Sequence, residues 1–126
     1  HNIILDRVDE YYLRADKSLL QQAIRALIEN SIKYSKKNTN IYISSEKQGN
    51  IAKISIRDEG IGISDTDKER IFERFYRADE SRNKFTGGTG LGLAIVSKIV
   101  ELHKGKVSIE SRINKGTKMT IEIPTV

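Results

Sequence analysis

From Leu20 onward the apolar residues fall at Ala23, Ile24, Leu27, Ile28 and Ile32, a spacing that lines them along one face of a helix with 3.6 residues per turn. Asp16 stands just ahead of this run, and its carboxylate can accept from the free amides of a first turn, so the helix is expected to start there. Upstream, residues 5–15 contain a short β-prone run, Tyr11-Tyr12-Leu13. Residues 40–46 and 51–57 both alternate apolar and polar side chains, and Gln48-Gly49-Asn50 between them supplies the turn chemistry of an antiparallel hairpin. Ser64 can cap a short helix reaching Phe75, with Asp65 and Asp67 in the first turn, where the helix dipole favours negative charge. Residues 77–90 have no period, many polar side chains and three glycines, and read as a mobile loop. A second amphipathic helix is predicted over residues 91–103, with Gly105 as its C-terminal cap. Two more alternating segments, 106–111 and 118–123, are joined through Asn114-Lys115-Gly116.

Strands separated by helices would by default suggest a parallel sheet, but two hairpin-like pairs argue for a mixed, mostly antiparallel one. The expected fold class is α+β, a two-layer α/β sandwich with helices on one face of the sheet. At 126 residues with 37% hydrophobic content, residues 1–126 fit one domain. No stretch approaches the roughly 18 consecutive apolar residues of a membrane span. The chain starts at His1 with no secretory leader pattern, as expected of a piece of a longer protein.

Composition removes several chemistries. There is no cysteine, so disulfides, thiolate metal sites and cysteine nucleophiles are excluded, and any metal would take oxygen ligands. The net charge of +5 invites a nucleic-acid reading, yet acidic and basic residues alternate, as in Asp67-Lys68-Glu69-Arg70, which marks a solvated, salt-bridged surface. A nucleic-acid partner is not expected.

Three segments carry candidate chemistry. On the first long helix Ala26, Asn30 and Lys33 follow at i, i+4 and i+7 and flank the apolar face. An amide oxygen beside an ammonium there is either an ordinary helix boundary or a magnesium ligand next to a phosphate-binding lysine. Tyr34, nearer the apolar side, is placed to cover a nucleotide base. Asp58-Glu59-Gly60-Ile61-Gly62-Ile63 follows an alternating strand; its carboxylate can accept from an exocyclic amine while bare backbone lets a flat ring approach. Gly87-Gly88-Thr89-Gly90-Leu91-Gly92-Leu93 opens a helix, where free amides favour an anion. It has neither the G-K-[ST] of a Walker loop nor G-x-G-x-x-G spacing.

Taken in order, these segments resemble a known family. Leu27-Ile28-Glu29-Asn30-Ser31-Ile32-Lys33-Tyr34-Ser35 resembles the N box of histidine kinases, Asp58 to Ile63 their first glycine box, Ile71-Phe72-Glu73-Arg74-Phe75-Tyr76-Arg77 their F box and Gly88 to Leu93 their second glycine box. Gly116-Thr117 is similar to the small third element. The resemblance implies the ATP-binding catalytic domain of a sensor histidine kinase, with the Bergerat fold of the GHKL superfamily and with ATP and Mg²⁺ as ligands. By position, Asn30 would coordinate Mg²⁺, Lys33 and Tyr34 would touch phosphate and base or ribose, and Asp58 would accept from the adenine amino group. Gly60 and Gly62 would make room for the ring beside Ile63, and Arg77 would contact the γ-phosphate. The amides of Gly88, Thr89, Gly90, Leu91 and Gly92 would hold the phosphates, with Leu93 and Thr117 completing the site. Phe72 and Phe75 would pack a lid or a partner domain, with core packing the better reading of Phe72. Two positions depart from the common pattern: Ala26 stands where many members have asparagine, and Glu59 replaces the usual asparagine of the first glycine box and is expected to point away from the pocket.

The family places the acceptor histidine on a separate dimerisation domain, with a response regulator receiver downstream; neither His1 nor His103 fits that role. His103 sits at a helix C-terminus, where the dipole favours a cation, and a structural role is the better reading of it. The resemblance further implies a cytoplasmic domain of a membrane-anchored sensor kinase. A GHKL hydrolase would need a glutamate general base where Ala26 stands, and Glu29 projects roughly 100° away from Asn30. A small serine kinase is a closer alternative, against which the F box argues. The remaining alternative is a degenerate scaffold that holds nucleotide only to organise partners.

Overall fold

The computed structural model describes residues 2–9, 15–35, 38–68, 70–72 and 92–125. Five strands form one sheet: β1 (Asn2–Val8), β2 (Asn40–Gln48), β3 (Ile51–Asp58), β4 (Lys106–Arg112) and β5 (Gly116–Pro124), in the order β1-β2-β3-β5-β4. Only β1 and β2 run parallel, and the other three pairings are antiparallel, so the sheet is mixed and mostly antiparallel as the sequence implied. Among the described residues the helices are α1 (Lys17–Tyr34), the single turn α2 (Asp65–Lys68) and α3 (Gly92–Leu102). Helices α1 and α3 pack on each other and on one face of the sheet.

Alternation decides the faces. On β3, Ala52, Ile54, Ile56 and Asp58 are buried; on β5, Thr117, Met119, Ile121 and Ile123 are buried. These residues meet Ala23 and Leu27 of α1 and Leu93, Val96, Ile99 and Val100 of α3 in one core. Each large aliphatic removed from water here contributes roughly 1.5–3 kcal/mol. The opposite face is polar: Ser55 and Thr120 share a hydrogen bond of 3.1 Å, Arg57 stacks on the Tyr42 ring at 4.0 Å, and Glu122 meets Lys53 at 3.7 Å and Lys106 at 3.5 Å. A face of this composition wants water, and among the described residues no helix packs on it.

Asp16 caps α1 as expected, its Oδ1 accepting from Leu19 N at 3.0 Å. The buried line of the helix is Ala23, Leu27 and Ser31 at intervals of four; Ile32, expected inside, is 39% exposed, because it lies one residue and about 100° beyond Ser31. The β2–β3 hairpin closes through Gly49 and Asn50, with Gly49 at φ +59, and both strands run longer than their alternation suggested. β1 begins upstream of the segment read as β-prone; Tyr11-Tyr12-Leu13 falls outside the described residues. Of the helix anticipated over residues 64–75, the described residues are helical over Asp65–Lys68, with a turn at residues 70–72 that buries Ile71 and packs Phe72 on the core. Phe75 and the loop read over residues 77–90 also fall outside the described residues.

The end of α3 corrects one expectation. Gly105 N donates to Val100 O at 3.0 Å and Lys104 N to Glu101 O at 3.0 Å, the paired bonds of a Schellman cap, and the left-handed residue is Lys104 at φ +61, not Gly105. Gly105 is required for a different reason: a Cβ there would stand 2.1 Å from Glu122 O. His103 takes the structural role expected of it. Its Nε2 accepts from the backbone N–H of Asp16 at 3.0 Å while Nδ1 donates to Ile99 O at 2.8 Å, so the ring joins the end of α3 to the start of α1 through a nitrogen that must be unprotonated.

Candidate functional site

The last residue of β3 faces the helices rather than water. Asp58 is 4% exposed, and its Oδ1 accepts from Gly60 N at 2.9 Å and Thr117 N at 3.3 Å. The hydroxyl of Ser31, itself 4% exposed on α1, donates to the same carboxylate. Burial nevertheless pushes the Asp58 carboxyl above the usual carboxylate range; the three donors and the nearby Arg57 charge pull the other way without cancelling it.

The glycines after Asp58 let the chain run against other backbone. A Cβ on Gly60 would lie 2.2 Å from Tyr34 O and 2.8 Å from Asp58 Oδ1; one on Gly62, at φ +76, would lie 2.0 Å from Arg112 O. The immediate reason for glycine at both positions is therefore protein packing. Residues 34–35 pair with 60–61, through Ile61 N donating to Tyr34 O at 3.3 Å and a bridge between Ser35 and Gly60. On the other side Asn114 N donates to Ile61 O at 2.8 Å, and Ile63 N donates to Ser111 Oγ at 2.7 Å. Ser111 Oγ also lies 2.8 Å from Thr117 Oγ1 and donates to Gly116 O at 2.9 Å. Gly116, at φ +117, has no room for a Cβ, which would meet Asp58 O at 2.2 Å. The segment from Asp58 to Ile63 is thus clamped between the last turn of α1 and the β4–β5 hairpin.

That clamp brings most of the described candidate residues together. Asn30, half-buried, and Lys33, exposed, stand in the last turns of α1, and Tyr34 is half-buried with its carbonyl engaged by the glycine segment. Thr117 is buried beside Asp58, and Ile63 packs on the core. Leu93 is a core residue of α3, whereas Gly92 at the start of that helix is exposed with open space where a Cβ would be. Arg77, Gly88, Thr89, Gly90 and Leu91 lie outside the described residues. Glu59 turns outward as expected, accepting from Asn40 N at 3.2 Å. Lys68 Nζ donates to Ser111 O at 3.1 Å and pairs with Asp65 at 2.7 Å. Asp58 and Thr117 border a concavity of about 520 Å³, rimmed by Arg57, Lys68, Arg112 and Lys118; Asn30, Lys33 and Tyr34 do not line it.

Two residues of the arrangement were not singled out from sequence. Ser31 had a signal: it occupies the next i+4 position after Ala23 and Leu27, a hydroxyl on a buried line, where it needs a partner. Ser111 had a weaker one, as the inward-facing end of the 107, 109, 111 alternation. Among the described residues no group of three or more His, Cys, Asp or Glu is placed to hold a metal, and no helix is long and apolar enough to cross a membrane.

A family model described as "Histidine kinase-, DNA gyrase B-, and HSP90-like ATPase" matches residues 15–126. The chain is 42% identical over 123 residues to the sensor-like histidine kinase SenX3 of Mycolicibacterium smegmatis, which covers 98% of this chain and 32% of that protein. It is 42% identical over 122 residues to the sensor histidine kinase YkoH of Bacillus subtilis, covering 96% and 26%. The chain therefore spans less than a third of the length of the curated relatives it matches. Among solved structures it is similar to a mycobacterial sensor histidine kinase, MprB, with TM-score 0.84 and 27% identity over 98% of this chain and 82% of that one. It is also similar to the nucleotide-free catalytic domain of the histidine kinase ThkA, with TM-score 0.82 and 32% identity over 98% and 78%.

Proposed function

Because this chain belongs to the histidine kinase-, DNA gyrase B- and HSP90-like ATPase family as the ATP-binding catalytic domain of a histidine kinase, we propose that it binds ATP with Mg²⁺ and presents the γ-phosphate to a histidine on a separate dimerisation domain. A response regulator receiver domain then takes the phosphoryl group. The observation that carries this reading is the buried Asp58 carboxylate, fixed by Gly60, Thr117 and Ser31 and tied through residues 34–35 to the helix that bears Asn30 and Lys33.

Each residue then has a task that its position supports. Asp58 is an acceptor with almost no access to water, suited to the adenine amino group, and Thr117 and Ile63 stand next to it. The side-chain amide oxygen of Asn30 is a hard ligand of the kind Mg²⁺ prefers, and the rest of the shell comes from phosphates and water. When bound, Mg²⁺ neutralises charge on the phosphate oxygens. Lys33, exposed one turn further along, offers an ammonium to a phosphate, and Tyr34 covers base or ribose. Family position gives Arg77 a γ-phosphate contact and gives the amides of Gly88, Thr89, Gly90, Leu91 and Gly92 the remaining phosphate contacts. In the transfer a histidine nitrogen attacks the γ-phosphorus, the new N–P bond forms, and the bond to the bridging oxygen breaks to release ADP. His103 is not that acceptor, since both its ring nitrogens are engaged between α1 and α3. The whole protein is proposed to be a membrane-anchored sensor kinase with this domain in the cytoplasm.

Hydrolysis in cis is disfavoured on structural grounds. The position that would carry a general base is Ala26, packed against the core, and Glu29 lies on the exposed side of α1. In the full-length protein, Asn30→Ala is expected to slow incorporation of γ-phosphate into the acceptor histidine by about a hundredfold or more. Incorporation at the wild-type rate would contradict the assignment.

A further inference from the structure

Asp58 on β3, Thr117 on β5 and Ser111 on β4 are paired in register across the strands and end the inward face of the sheet in a polar row. The row before it, Ile56, Met119 and Ile109, is apolar and belongs to the core. Polar groups in such a place need partners in the protein or in a ligand, and all three residues border the concavity of about 520 Å³. Ser111 has one hydroxyl proton and three partners within hydrogen-bond distance. Ile63 N can only donate, and it reaches Ser111 Oγ at 2.7 Å. Gly116 O can only accept, and at 2.9 Å it takes the serine proton. Thr117 Oγ1, 2.8 Å away, is therefore the donor of the third bond, which leaves it with lone pairs and no proton to give a ligand.

We infer that Ser111 is a positioning residue that sets the specificity of the nucleotide site: by holding the Thr117 proton it leaves Thr117 and Asp58 as adjacent acceptors, which favour a purine bearing an exocyclic amine over one bearing a 6-oxo group. The inference rests on the ATP-binding reading above. Thr117 N, donating to Asp58 Oδ1 at 3.3 Å, keeps the two acceptors side by side. An exocyclic amine brings N–H donors to such a row, whereas a 6-oxo group sets oxygen against oxygen. A free threonine hydroxyl turns to suit either partner. In this row, turning toward a 6-oxo group gives up the bond to Ser111 at a residue only 7% exposed, where little water replaces it.

The test measures dissociation constants of the Mg²⁺ complexes of a non-hydrolysable ATP analogue and its inosine counterpart for wild type, Ser111→Ala, Thr117→Val and the double variant, each checked for folding by its urea midpoint. Wild type should prefer the adenine form by about tenfold or more, and Ser111→Ala should shrink that ratio about fivefold, the scale of one hydrogen bond. With Thr117→Val already present, adding Ser111→Ala should leave the ratio where it is, because no hydroxyl proton remains to be released. A ratio that Ser111→Ala leaves unchanged, even with both affinities lowered, overturns the inference and leaves ATP binding standing. So does a ratio that falls as far in the Thr117→Val background as in wild type. Proton NMR of the wild-type chain without nucleotide needs no variant: the Thr117 hydroxyl proton should exchange slowly and show a cross-peak to the Ser111 β-protons. A Thr117 hydroxyl proton that exchanges freely with water overturns the inference. Wild type that binds neither nucleotide overturns the ATP reading itself, and the specificity role with it.

Discussion

Asp58 is 4% exposed, with two N–H groups on one oxygen and a hydroxyl on the carboxylate, and burial still lifts its carboxyl above the ordinary range. The sign of the consequence follows from linkage. A folded-state value above the unfolded one means that the folded state binds the proton more tightly, so this contribution to stability is present at acid pH and lost as pH rises through the folded value. Ionised Asp58 thus weakens the fold at neutral pH. Asp58→Asn is expected to unfold at a urea midpoint equal to or above wild type at pH 7, because the amide oxygen keeps both backbone donors and the Ser31 hydroxyl can turn to accept from the new NH₂. Any advantage should shrink once wild-type Asp58 is itself protonated; a lower midpoint at pH 7 would contradict the electrostatic account. Gly60 makes a second residue-scale case. Its Cβ would strike the Tyr34 carbonyl and the Asp58 carboxylate, so Gly60→Ala should cost about 1–3 kcal/mol in urea unfolding. Gly49→Ala has open space around it and meets only the left-handed backbone penalty, about 1 kcal/mol. Asp58 and Gly60 were legible because their spacing is chemical. The serines around them were harder to read: Ser31 is marked only by its place on the buried line of α1, and Ser111, which holds Ile63, Gly116 and Thr117, looks like an ordinary serine until the elements meet.

Helix α1 is where sequence and structure agree most, and where the reason is simplest: a cap at Asp16 and a repeating apolar spacing are both local. The β2–β3 and β4–β5 hairpins were readable on the same ground, as alternation around a short turn. β1 was not, because Asn2–Val8 carries a charged pair, Asp6-Arg7, where its register with β2 shifts, and its pairing is parallel across the whole of α1. The α3 terminus shows the limit of a composition rule: glycine after a helix suggested the left-handed position, but Lys104 takes it and Gly105 serves the approach to Glu122. The His103 latch follows from no local pattern, since its two partners lie in different helices. His103→Ala should lower stability by about 1 kcal/mol, the net worth of a hydrogen bond to a group that water can reach, and should speed amide exchange at Asp16. Unchanged exchange there would remove the latch.

At the scale of the whole molecule, one sheet separates a wet face from a working one. The outward rows of Ser55 with Thr120, Arg57 with Tyr42, and Glu122 between Lys53 and Lys106 need no cover, while the inward rows bury the core and end in Asp58 and Thr117 at one edge. The site forms where three chain-distant pieces converge on that edge: the last turn of α1, the glycine segment after β3 and the β4–β5 hairpin. Such convergence explains why the fold class could be read from alternation and periodicity, whereas the function needed ordered motifs matched to a family. The most direct test is a calorimetric titration of this chain with a non-hydrolysable ATP analogue and Mg²⁺, beside folded Asp58→Asn. Wild type should bind with a dissociation constant between about 1 mM and 1 μM, and Asp58→Asn should show no binding while keeping its stability. A folded wild type that gives no heat and no displacement by ADP, or an Asp58→Asn that binds as wild type does, would contradict it.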